Sequence, residues 1–142
     1  MVDISEKADV ARRAIASGEI SLRPETIELI RGRQIEKGEV LETARIAAVL
    51  AIKQTSSVIP MCHNIPISSI DIRFDISDNF IRAITEVKST GKTGVEMEAL
   101  HGVSIALLTI WDMVKSAEKD ETGNYPITRI NNLKVIEKSK RE

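Results

Sequence analysis

The stretch Ile70-Asp71-Ile72-Arg73-Phe74-Asp75-Ile76 is followed by Ser77-Asp78-Asn79 and then by Phe80 to Lys88. In the first segment Ile70, Ile72, Phe74 and Ile76 point one way while Asp71, Arg73 and Asp75 point the other. That period of two marks a strand with one buried face. Ser77-Asp78-Asn79 supplies turn formers whose side chains bond their own backbone, so Phe80 to Lys88 is predicted to return as the second strand of a hairpin.

On both sides of the hairpin the period lengthens to that of a helix. Toward the amino terminus, a helix is predicted from about Glu39 to Lys53, with Ala44, Ala47, Ala48 and Ala51 on a face that lets another backbone come close. Before it, Pro24 and Gly32 bracket a short helix carrying Ile27, Leu29 and Ile30. Arg13 to Leu22 alternates weakly and is read as a strand. Toward the carboxyl terminus a long helix is predicted from about Val95 to Lys119. Its middle, Val103 to Trp111, is apolar nearly all round, so it must be covered on more than one side. Ile127 to Glu137 closes the chain as a strand. The order β-α-α-β-β-α-β predicts an α+β fold, a ferredoxin-like antiparallel sheet with helices packed on one face. Such a sheet, with a helix apolar all round, leaves more apolar surface than one chain of this size can cover, so an oligomer is expected.

The chain has 142 residues, the length of one domain. Hydrophobic residues at 42% and charged residues at 29% exclude global disorder. Twenty Lys+Arg stand against 21 Asp+Glu, a net charge of -1, which lacks the basic excess of a protein built to grip nucleic acid. No apolar run approaches the roughly 20 residues of a membrane span, and Met1 to Glu6 lacks the basic-then-apolar order of a signal peptide. One cysteine, Cys62, cannot form an intrachain disulfide, and the reducing cytoplasm is the expected location. Only Phe74, Phe80, Trp111 and Tyr125 are aromatic, so the core must be built from Ile, Leu, Val and Ala.

Several polar residues invite a chemical reading beside a plain one. Lys37-Gly38-Glu39 precedes a helix, where a lysine is unfavourable unless an anion is shared between it and the helix end; the plain reading is a solvated loop lysine. Pro60-Met61-Cys62-His63-Asn64 lies between helix and sheet. Adjacent Cys and His suggest zinc, but too few ligands exist in recognised spacings, and no metal site is expected. His63 is read as a proton-transfer or hydrogen-bonding group, against a turn histidine. Gly91-Lys92-Thr93-Gly94 is not a P-loop, because Glu86 and Val87 stand where its first glycine is needed. Glu96 and Glu98 suit the positive end of a helix, and they could equally accept hydrogen bonds from the N–H edge of a guanine-like ligand.

Asp112 and Lys115 are neighbours on the long helix. The plain reading is an exposed ion pair, but Trp111 and Met113-Val114 around Asp112 favour a partly buried acid-base pair. At the helical rise of about 1.5 Å per residue, Glu98 and Asp112 lie about 21 Å apart. One small substrate cannot touch both on a straight helix, so a site at a subunit interface is preferred.

The segments MVDISEKADVARRAIASGEISL (1–22), KGEVLETARIAAVLAIKQTSSVIPMCHNIPIS (37–68) and TGKTGVEMEALHGVSIALLTIWDMVKSAEKD (90–120) resemble the MoaC family, the cyclic pyranopterin monophosphate synthases of molybdenum cofactor biosynthesis. The resemblance implies a single catalytic domain over 1–142 with a ferredoxin-like fold, assembled as a homohexamer, a trimer of dimers, with active sites between subunits. It implies a lyase that converts (8S)-3',8-cyclo-7,8-dihydroguanosine 5'-triphosphate, supplied by a radical-SAM GTP cyclase, into cyclic pyranopterin monophosphate with release of pyrophosphate. No cofactor is implied beyond Mg2+ accompanying the substrate phosphates. By motif, Lys37, His63, Asp112 and Lys115 match catalytic positions, Asp112 foremost. Arg12, Met61, Cys62, His63, Glu96, Met97 and Glu98 match substrate-binding ones. Where many bacterial members end in a Lys/Gly/Ser-rich tail, this chain has NYPITRINNLKVIEKSK, leaving Lys134 as a weak substitute for a tail lysine over the phosphates.

Two other classes compete. A non-catalytic purine-nucleotide-binding regulatory module would bind without turnover. An RNA-binding module would need aromatic residues on the open sheet face and a basic stripe, yet Phe74 belongs to the inward set of its strand.

Overall fold

The computed structural model describes residues 1–141. Eight elements follow in the order β1 (Val10–Ser21), α1 (Pro24–Arg31), α2 (Val40–Lys53), α3 (Thr55–Val58), β2 (Ile67–Ile76), β3 (Phe80–Gly91), α4 (Glu96–Glu118) and β4 (Arg129–Arg141). The four strands form one antiparallel sheet ordered β2-β3-β1-β4. In it β3 separates β1 from β2, the split arrangement expected of a ferredoxin-like α+β fold. The predicted hairpin is present: Ile76 faces Ile81, and Ser77 N–H donates to the Phe80 carbonyl at 2.9 Å. The weakly alternating amino-terminal segment is a full central strand that begins at Val10, three residues before the predicted start. The single turn α3 has no counterpart in the sequence reading.

One face of the sheet carries Ala14, Ala16 and Ile20 from β1 and Ile81, Ala83 and Val87 from β3, all fully buried against α4 and α2. The helices supply Ala99, Val103, Ala106, Leu107 and Ile110, with Ala44, Ala48 and Ile52 beside them. Small residues set the spacing of these layers. A Cβ at Gly102 would lie 2.7 Å from Ile52 Cδ1, and one at Gly18 would lie 2.9 Å from Val103 Cγ1. Phe74 faces inward as read from the sequence, with the Arg45 guanidinium 5.5 Å above its ring.

By length and composition α4 could cross a membrane, which corrects the expectation that no apolar run reaches that length. Half of its apolar window is buried inside the protein, and it is the central helix of the core. The helix layer also leaves Ile46 and Leu50 of α2 and Leu108 of α4 exposed.

Candidate active site

Lys37 sits in the loop after α1, beside Gly38, whose φ of 115° lets the chain turn into α2. The loop carries Lys37 onto the later half of α4. Its Nζ lies 3.1 Å from Asp112 Oδ2 and donates to the Asp112 backbone carbonyl, also at 3.1 Å. Lys115, three residues along the helix, places its Nζ 3.1 Å from Asp112 Oδ1. Each carboxylate oxygen therefore has its own ammonium group. The hydrogen bonds from Lys37 and Lys115 hold the Asp112 carboxyl below its ordinary range.

The side chains of this cluster are 46%, 57% and 44% exposed for Lys37, Asp112 and Lys115. That corrects the expectation of a partly buried acid. The flanking apolar residues mislead because the helical turn sends Ile110, Met113 and Val114 into the core and leaves Asp112 outward with Leu108. The two lysines, rather than burial, perturb the carboxylate.

The other acids gather at the opposite end of α4. Glu96 pairs with Lys138 of β4 at 2.9 Å. Burial raises the Glu96 carboxyl, but Lys138 and a backbone N–H, with a smaller contribution from Arg12, outweigh it and the net shift is downward. Arg12 is itself anchored by a hydrogen bond from Nε to the Gly91 carbonyl at 2.9 Å. Glu98 is only 4% exposed; burial pushes its carboxyl up, and the like charge of Glu96 adds to the shift. Burial also raises the Cys62 thiol, and the negative charge of Glu98 adds to the shift. Met97 and Met61 are exposed at the same end. His63 Nε2 lies 2.6 Å from the backbone carbonyl of Val2.

The sequence-predicted residues thus fall into two groups. Lys37, Asp112 and Lys115 form one; Arg12, Met61, Cys62, His63, Glu96, Met97 and Glu98 lie around the other end. The helix joining them is unbroken from Glu96 to Glu118, so the separation of about 21 Å stands.

Lys138 was not singled out from the sequence, and Lys134 was. Pairing with β1 shifts register twice, once between Asn131 and Lys134 and once at Ile136. Asn132 has a φ of 56° at the first of these bulges. Between the bulges Lys134 faces the open side of the sheet, in a cleft with Ser17, Glu19 and Arg82. Beyond them Lys138 returns to the helix side, opposite Ala14, and reaches Glu96. Alternation counted straight through two bulges gives no signal that separates these lysines.

The family model described as the MoaC family matches residues 1–141. A probable cyclic pyranopterin monophosphate synthase of Methanosarcina mazei is 64% identical over 140 residues, which span 99% of this chain and 89% of the relative. Its namesake in Methanococcoides burtonii is also 64% identical, over 99% of this chain and 88% of the relative. That of Pyrococcus furiosus is 57% identical over 142 residues, covering 100% and 91%. The chain belongs to the MoaC family.

Proposed function

We propose that this member of the MoaC family is a cyclic pyranopterin monophosphate synthase. Its substrate is (8S)-3',8-cyclo-7,8-dihydroguanosine 5'-triphosphate, made by a radical-SAM GTP cyclase, and its products are cyclic pyranopterin monophosphate and pyrophosphate. The reaction is an early step of molybdenum cofactor biosynthesis, and its place is the cytoplasm.

The observation that carries this reading is the pairing of Asp112 with an ammonium group on each oxygen, at the far end of a helix whose start holds the remaining acids. Opening the five-membered ring of a purine and closing a pterin ring moves protons on and off nitrogen and oxygen. A fixed carboxylate between two ammonium donors suits that task. Lys37 and Lys115 would also offset charge that grows as pyrophosphate leaves. At the other end Arg12 and Lys138 supply positive charge for the phosphates, with Mg2+ travelling on the triphosphate. Glu96 and Glu98 would accept hydrogen bonds from guanine-derived N–H groups, and His63 would take part in proton transfer. Met61, Cys62 and Met97 would line the base.

Two clusters about 21 Å apart on one straight helix cannot close on one small molecule. The site is therefore shared between chains, each copy giving one end of α4, within a homohexamer built as a trimer of dimers. The exposed Ile46, Leu50 and Leu108 offer apolar area for such contacts. Each chain, 1–142, acts as one catalytic domain.

The test is incubation of the purified protein with the enzymatically prepared cyclised GTP intermediate. The expected result is equimolar pterin product and pyrophosphate. Binding without turnover would instead support a regulatory nucleotide-binding module.

A further inference from the structure

The amino-terminal segment folds back over the loop that bears His63. Asp3 Oδ1 accepts a hydrogen bond from the Ser5 amide at 2.9 Å, and the Lys7 amide donates to the Ile4 carbonyl at 3.0 Å. These two turns give the segment a definite shape rather than leaving it a trailing end. Lys92, in the loop between β3 and α4, fastens it from the other side: its ammonium donates to the Lys7 carbonyl at 2.7 Å and to the Ser5 carbonyl at 3.4 Å. At the tip of the segment, the Val2 carbonyl lies 2.6 Å from His63 Nε2. A carbonyl oxygen only accepts, so Nε2 must carry the proton. In neutral imidazole the lone pair is then confined to Nδ1.

We propose that Val2–Lys7 is a strap that holds the His63 ring in one orientation and one tautomer, and that Lys92 is the positioning residue that fastens it. A proton acceptor on a half-buried loop is useful only if the accepting nitrogen is always aimed the same way. Side-chain packing, with Ile4 and Ile65 lining the adjoining cavity and Asn64 and Pro66 exposed, does not select which ring nitrogen carries the proton. A backbone carbonyl does, in the manner in which a partner on one ring nitrogen fixes the other. Asp3 on the strap interacts electrostatically with the ring, and Asp9 and Lys92 line the adjoining cavity. The use of His63 Nδ1 in turnover rests on the proposed function above; the state of the ring does not.

Nuclear magnetic resonance of the 15N-histidine-labelled protein reads the strap directly. There are two histidines, so His101→Gln assigns the signals. In the unmodified protein an exchange-protected N–H on Nε2 of His63 is expected. Lys92→Met should lose that protection and lower kcat about tenfold with little change in KM, while Lys92→Arg, which can still donate to both carbonyls, should retain both properties. Removal of residues 2–5 should reproduce the Lys92→Met result without touching the lysine. The proposal is overturned if the proton resides on Nδ1, if protection survives Lys92→Met and the strap deletion, or if Lys92→Met acts on KM alone. Should the unmodified protein make no product, the proposed activity fails, and the N–H signal still decides the strap.

Discussion

Lys37 and Asp112, 75 residues apart in the chain, meet at two points: Lys37 Nζ is 3.1 Å from the carboxylate Oδ2 and 3.1 Å from the backbone carbonyl of the same residue. The second contact fixes where the ammonium sits, independent of the carboxylate rotamer. With Lys115 on the other oxygen, Asp112 is oriented although it lies at the surface.

Because Asp112 is exposed, its substitution separates chemistry from folding. Asp112→Asn should lower product formation by about 10^2 to 10^4-fold, the range of general acid–base groups, with an unchanged melting temperature. Steady-state assay with the cyclised intermediate and a thermal melt check both halves. A large fall in melting temperature would mean that the residue is structural.

Lys134 and Lys138 of β4 should behave differently. Lys138→Met removes the partner of Glu96 and positive charge beside Arg12, so it should raise KM for the triphosphate substrate about tenfold or more. Lys134→Met, on the opposite face, should leave the kinetics unchanged. Equal effects would contradict the bulged register.

That contrast also marks what the sequence made legible. The hairpin and α4 followed from hydrophobic period, because long regular segments state which face is buried. Asp112 was misjudged since neighbours in sequence are not neighbours on a helix face. The placement of Lys138 depends on two bulges: Asn132 is of a type that accepts a left-handed φ, but Ile136 carries no turn signature at all. Single-turn α3 is too short for a period. The strap was illegible for another reason: its key acceptor is a backbone carbonyl, which any residue provides.

Gly102 tests the core. The Cβ position meets Ile52 Cδ1 at 2.7 Å and Cγ1 at 2.8 Å, and Ile52 is itself fully buried. Gly102→Val should cost about 1–3 kcal/mol in denaturant unfolding, since two layers must move apart. An unchanged midpoint would show that the α2–α4 contact is looser than described.

The two acids at the start of α4 should give opposite pH dependences of stability. Glu98 has its carboxyl raised by burial, so its stabilising share is present below the unfolded carboxyl range and is lost as pH rises through the folded value. Glu98→Gln should therefore gain stability relative to the unmodified protein from acid toward neutral pH. Glu96 ends up lowered by Lys138 against its own burial; its share is present above the unfolded range and lost as pH falls through the folded value. Glu96→Gln should be destabilised at neutral pH and match the unmodified protein in acid. Urea titrations from acid to neutral pH decide the signs.

The shared site is tested most directly by mixing two inactive variants, Asp112→Asn and Glu96→Gln combined with Glu98→Gln, under conditions that allow subunits to exchange. Each mixed interface then carries one intact pair of clusters, and activity should return to about a quarter of the unmodified level. Mixed oligomers that form and remain inactive would contradict the account.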